Sequence, residues 1–302
     1  MKKKTRPNTI PQALRFFTPS GEIATIWCIL IAVGAYVAAF SGGYALYFAF
    51  SSGALRFAIP IGALAIGDPP TAFTAVQFVL LLFAAIPLAH LFTGRSLFSP
   101  RVSKRAAAEW GAGAALGASA SAVCVALLLA LDVSRLGWRL SAPRFTEHTL
   151  ALAASCVLSA AGETVFFQGL VMGALRSRGR RIAGYAAAVA VAALAHGSAR
   201  FPLTYLNWAL CALACCLLYE RTGRLSSAVG FRYAWALVAS CLAGIPLTTG
   251  AVYEVYAASL YFVSGGDAGL MNGLLATVAF GAICAWLLRR IVALAKNETG
   301  RK

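Results

Sequence analysis

The chain is short of acid. Of its 302 residues only 10 are Asp or Glu, 3 are His and 3 are Met, and 12% carry a charge. Soluble globular domains carry about twice that share of charge, so a solvated, water-facing enzyme is excluded. The sequence also lacks any C-x-x-C pair and any His at zinc-finger spacing. Its eight cysteines (Cys28, Cys124, Cys156, Cys211, Cys215, Cys216, Cys241 and Cys284) all fall inside apolar runs, where they read as small packing residues. Period-two alternation is missing too, which excludes the strands of a membrane barrel. With no repeat, low-complexity tract or soluble segment in view, residues 1–302 read as one membrane domain.

What the chain has in excess is apolar surface and positive charge. Hydrophobic residues make up 60% and mean hydropathy is +0.76. Runs of roughly 17–25 apolar residues, each long enough to cross a hydrocarbon core about 30 Å thick, recur along the sequence. Spans are expected near 24–41, 72–92, 110–131, 149–175, 183–198, 201–219, 226–248 and 268–288, an all-α polytopic membrane protein of about eight transmembrane helices. The stretch 42–66 is apolar but interrupted by Gly42-Gly43, Ser51-Ser52, Arg56 and Pro60, and is expected to be re-entrant or interfacial rather than a ninth span. A basic start before an apolar run also fits a cleaved signal peptide, but the run is long and begins late, which favours a retained first helix.

The net charge of +16 does not point to nucleic acid, because the basic residues sit in short clusters between apolar runs. With the N terminus in the cytoplasm, 20 of the 26 basic residues fall on one side: those up to Arg15, Arg95–Arg105, Arg176–Arg181, Arg221 and Arg224, and Arg289 onward. The other side keeps Arg56, Arg135, Arg139, Arg144 and Arg200. That bias places both termini in the cytoplasm of a cell or inner membrane, with the lipid bilayer as first partner.

Nine acidic residues lie at span ends or in loops, but Glu163 falls near the middle of 149–175. A carboxylate there costs a few kcal/mol and reads as functional unless it is protonated and serves packing. His196 closes the next helix, whose Ala-rich face allows close helix approach. Counted from the shared loop at 176–182, Glu163 stands about 18 Å and His196 about 21 Å along their helices, at similar depth. A carboxylate beside an imidazole can activate water directly or through a bound divalent metal such as Zn, although two ligands alone make no metal site. Arg232, about six residues into 226–248, either snorkels to the interface or points at a cavity around Glu163. His90 has no depth-matched acid and reads as interfacial packing. Glu147-His148 reads as a solvated helix start, with Thr146 as its cap.

The stretch Ala161-Gly162-Glu163-Thr164-Val165-Phe166-Phe167-Gln168-Gly169-Leu170 resembles the first motif of the type II CAAX prenyl endopeptidases and their bacterial relatives, the CPBP or abortive-infection group of intramembrane proteases. The usual form is Glu-Glu-x-x-x-Arg, often continued as Phe-Arg-Gly. Glu163 matches the first Glu, Thr164 replaces the second and Gln168 replaces the Arg. Ala192-Ala193-Leu194-Ala195-His196 keeps the His of a Phe-x-x-x-His motif. Thr222-Gly223-Arg224-Leu225 matches the turn before a third motif, His-x-x-x-Asn or Asp, in which Arg232 and Ala236 stand at the two polar positions.

The resemblance covers about 150–240. It implies a helical membrane fold with a polar cavity open toward the cytoplasm, Glu163 as base and His196 as its partner, and membrane-associated peptides or proteins as substrates. The oxyanion role is unfilled unless Arg232 supplies it. Thr164 and Gln168 lie about 40° apart on the helix and form an uncharged polar strip beside Glu163. Three functions stay open: an intramembrane endopeptidase of full or reduced activity, a non-catalytic relative that binds a partner in the same cavity, and a small proton-coupled transporter using Glu163. The last lacks the paired broken helices that internal repeats give transporters.

Overall fold

The computed structural model describes Ile23 and residues 25–51, 69–94, 103–132, 139–140, 143–197, 202–245, 250–256, 261–266 and 269–299. The helices in chain order are α1 (Thr25–Ser51), α2 (Pro69–Thr93), α3 (Lys104–Asp132) and α4 (Glu147–Thr164). A π-helical stretch, Val165–Met172, joins α4 to the single turn α5 (Gly173–Arg176). There follow α6 (Arg181–His196), α7 (Leu203–Thr222), α8 (Ser226–Ala236) with a second π-helical stretch (Leu237–Leu242), the short α9 (Tyr261–Ser264) and α10 (Leu274–Thr299). One two-residue antiparallel pair, β1 (Arg139–Leu140) with β2 (Val255–Tyr256), ties two loops at the same end of the bundle.

The chain is an all-α polytopic membrane protein. Among the described residues six helices are long and apolar enough to cross a membrane, and α6 is a shorter apolar helix. Each of the eight expected spans coincides with a helical segment, but α6 and α8 with its π-helical continuation do not reach that length.

The expectation at 42–66 needs correcting over its described part. Helix α1 runs on unbroken to Ser51, through Gly42-Gly43. Gly43 faces α2 so closely that a Cβ would stand 2.6 Å from Gln77 Cγ, and Gln77 Nε2 donates to the Phe40 carbonyl at 3.2 Å. The glycines mark a helix contact rather than a break. Residues 52–66 lie outside the described residues.

Small residues set the spacing elsewhere. Gly113 and Gly117 of α3 face the Ser227 and Phe231 carbonyls of α8, while Gly230 faces the Trp110 carbonyl, so the two backbones touch. In lipid, where apolar burial gives helices little reason to associate, such close approach supplies the packing energy.

One end of the bundle is fastened by charge. Glu220 of α7 pairs with Arg176 (3.2 Å) and Arg181 and accepts a bond from the Tyr185 hydroxyl at 3.0 Å. In the same region Arg178 donates to the carbonyls of Ala174 (2.6 Å) and Ile23 (3.1 Å), holding the start of α1 against the turn before α6. Arg224 and Ser226 reach Glu109 on α3, which also pairs with Arg105 at 2.9 Å. At the opposite end Asn207 Nδ2 donates to the carbonyls of Met271 (2.9 Å) and Gly273 (3.0 Å), and Thr277 donates to Asn207 Oδ1 at 2.6 Å. That network holds the 3₁₀ turn Leu270–Asn272 over the end of α7.

Candidate functional site

Glu163 sits two residues before Val165, where α4 turns π-helical, and is 3% exposed. π-Helical turns widen the backbone and recur at functional sites. The second such turn follows Ala236 directly, so both helices that flank the site carry one. Gly162 seats this part of α4 on Phe78 of α2, with room for no more than a Cβ at 3.1 Å from that ring.

Three sequence-selected residues converge. His196 Nε2 lies 3.3 Å from Glu163 Oε2, and the Arg232 guanidinium forms an ion pair with the same oxygen through Nη2. Arg232 is 7% exposed and does not snorkel to the interface. The position of His196 follows from its helix end: the Gly197 N–H closes on the Ala193 carbonyl at 2.8 Å, and the ring of Tyr205 fills the space a Gly197 side chain would need. Arg232 is set by the turn before α8. Gly223 takes φ +70°, a left-handed conformation that suits glycine, and its N–H closes α7 on Tyr219. The Thr222 hydroxyl then bonds the Leu218 and Arg224 carbonyls at 2.9 and 3.0 Å.

Sequence reasoning missed Trp208. Its ring stacks on His196 with centroids 3.8 Å apart and planes at 14°, and the Arg232 guanidinium lies over it at 5.1 Å. One indole thus fixes both partners of Glu163, by stacking on one and by cation–π attraction to the other. An aromatic in an apolar run reads as core; only its place beside Asn207, the buried amide, sets it apart in the sequence. Tyr36 of α1, packed on Phe166 and Phe167 beside the site, is a second residue the sequence did not single out.

A cavity of about 150 Å³ adjoins the site, with Glu163 and Arg232 in its wall beside Trp208, Trp235, Ile245 and Leu270. Ile245 and the 269–271 turn place it toward the end of the bundle away from the Glu220 cluster. The resemblance implies an opening on the side of the basic loops, whereas the cavity's lining lies toward the other end of the bundle. The Asn207 network, absent from the family motifs, builds that end wall.

The other two auxiliary positions are not in the wall. Thr164 is fully buried, and Gln168, also fully buried, turns toward α7, where Nε2 donates to the Ala212 carbonyl at 3.4 Å and contacts Cys216 Sγ at 3.7 Å. The π-helical turn after Thr164 alters the angular spacing on which their shared strip was based. His148 and Thr149 lie at the far end of α4, where Thr146 is the N-cap, as expected, and forms a capping box with Thr149, whose Oγ1 accepts the Thr146 N–H at 3.1 Å.

The residues present do not fit a divalent metal. Glu163 and His196 supply two donors, and among the described residues no group of three His, Cys, Asp or Glu side chains gathers. The third group on the carboxylate is a guanidinium, itself a cation, which competes with a metal for Oε2.

The fold and site define a polytopic membrane protein with a buried carboxylate, imidazole and guanidinium beside a cavity. Residues 145–238, about a third of the chain, which contain all three groups and Trp208, match the family model for type II CAAX prenyl endopeptidase Rce1-like proteins. Comparison with curated proteins and with solved structures finds no match.

Proposed function

We propose that the protein is an intramembrane endopeptidase that hydrolyses peptide bonds of membrane-associated substrates, with Glu163 as the base. The observation that carries this reading is the placement of Glu163 in the wall of a cavity large enough for water, with His196 and Arg232 on its carboxylate. In the proposed reaction Glu163 takes a proton from water as the oxygen attacks the scissile carbonyl carbon. The carbonyl electron pair moves onto oxygen, where Arg232 is the only cationic group in the described wall able to meet the new charge. On collapse the C–N bond breaks and the proton held by Glu163 passes to the leaving amine. His196, stacked on Trp208, holds the carboxylate in place throughout.

A second reading is favoured by the same ion pair. A guanidinium already on Oε2 offsets the charge that a base needs, so the resting site also suits a relative that binds without cleaving. A cleavage assay on purified protein with a membrane-anchored peptide separates the two. Peptide hydrolysis that Glu163→Gln abolishes supports the enzyme; sustained cleavage by that variant removes Glu163 from the mechanism, and no cleavage by wild type selects the binding relative. The charged end of the bundle, with the start of α1 and the end of α10, is proposed to face the cytoplasm, which accords with the bias of basic residues. A cysteine at exposed Ser177 is then labelled by impermeant reagents only from the cytoplasmic side, and labelling from outside reverses the orientation.

A further inference from the structure

Two cations share one ring at the charged end of the bundle. The guanidinium carbons of Arg221, at the close of α7, and of Arg290, on α10, each lie 5.8 Å from the centroid of Trp286. All three side chains are exposed. Like charges brought from two helices onto one indole repel each other unless something negative offsets them. The ring face offsets part of that repulsion but offers the guanidinium N–H groups no carboxylate or phosphate oxygen. The chain supplies no such oxygen either: among the described residues neither arginine makes a hydrogen bond or an ion pair, and Glu220, next to Arg221 in sequence, is turned to Arg176, Arg181 and Tyr185. Arg289, also exposed, adds a third positive charge next to Arg290 in sequence.

Arg221 lies one residue before the end of the span Leu203–Thr222, and Arg290 four residues before the end of Leu274–Leu294. Both therefore stand where the headgroups of a bilayer begin, the level at which tryptophan and basic residues gather. One and two turns back along the same side of α10, Ala282 is exposed and Val278 is 61% exposed, so an apolar strip leads from Trp286 toward the middle of the membrane. We propose that Arg221, Arg290 and Trp286 form a binding site for one anionic phospholipid, with the two guanidiniums on its headgroup and an acyl chain along Ala282 and Val278. Guanidinium forks match the paired oxygens of a phosphodiester. A zwitterionic lipid offers the same phosphate together with an ammonium group that the arginines repel, so the site selects net negative charge. It lies on the outer surface, at the end away from the cavity beside Glu163, and does not depend on cleavage.

The test uses the full chain in detergent, with dioleoyl phosphatidylglycerol and dioleoyl phosphatidylcholine titrated separately and the bound lipid counted by native mass spectrometry. Wild type is expected to retain the first lipid over the second by about fivefold or more, the gain that one basic residue near an anionic surface typically supplies. Equal retention of the two overturns the proposal. Arg221→Gln combined with Arg290→Gln is expected to bring phosphatidylglycerol down to the phosphatidylcholine level in a protein that still melts cooperatively. Lys104→Gln combined with Arg180→Gln removes the same charge from other exposed positions at that end and is expected to keep the preference. Equal losses from the two pairs would mean that the whole charged end attracts the lipid, and would overturn the site. Trp286→Leu keeps both charges and removes the ring, so it is expected to weaken retention; an undiminished preference in that variant also overturns the proposal. sn-Glycerol 3-phosphate, added at the concentration of the lipid, is expected to displace none of it, and full displacement overturns the assignment to a lipid.

Discussion

Arg232 and Glu163 are best understood as one unit, because each is buried with the other as its countercharge. Removing one partner leaves an uncompensated charge away from water, which typically costs about 3–5 kcal/mol. Arg232→Gln is therefore expected to lower thermal stability in detergent sharply, and Glu163→Gln with Arg232→Gln to recover most of the loss; additive losses would show that the two do not act as a pair. Of this site, Glu163 was legible as the one acid stranded mid-span, His196 by matched depth, and Arg232 as the one basic residue within a span. Trp208 was not, because stacking and cation–π contacts depend on the rotation of α7 against α6 and α8, and apolar periodicity in a membrane helix leaves that rotation open. Gln168 misled for a related reason: its angle was computed for a regular α-helix, and the chain widens just before it.

At the scale of elements, the site depends on α8 being pressed onto α3. Gly113 and Gly117 meet the Ser227 and Phe231 carbonyls of α8, in the turn just before Arg232, so a side chain at Gly117 must push Phe231, and with it Arg232, away. Gly117→Val is expected to destabilise the fold by about 1–3 kcal/mol through overpacking and to reduce cleavage as Arg232 shifts. Gly111→Ala is the control: a Cβ there meets nothing within 4 Å, and helix propensity favours alanine by up to about 1 kcal/mol. Equal damage from both would mean that the glycines are not contact points. Hydropathy located the helices because each must satisfy its own backbone in lipid. It misplaced the end of α1 because glycine both breaks soluble helices and admits close neighbours in membrane ones, and only the second applies at Gly43. Neither π-helical stretch had a sequence signal.

For the whole molecule, charge and polarity are divided by end. Glu220, Glu109 and their arginines gather at one end, and the cavity lies toward the Asn207 network at the other. On the proposed function, a substrate would meet Glu163 from the end where Leu270 and Met271 line the cavity. The resemblance over residues 145–238 was legible from short motifs on the right helices. The direction of the cavity was not, because it is set by the long-range bonds between α7 and the turn before α10. Glu163 is proposed to direct water onto a peptide bond inside the membrane. Cleavage of a membrane-anchored peptide in ¹⁸O-labelled water, followed by mass spectrometry of the new C terminus, tests it most directly. Wild type is expected to incorporate one labelled oxygen and Glu163→Gln to yield no product; labelled product from both at equal rates would contradict the account.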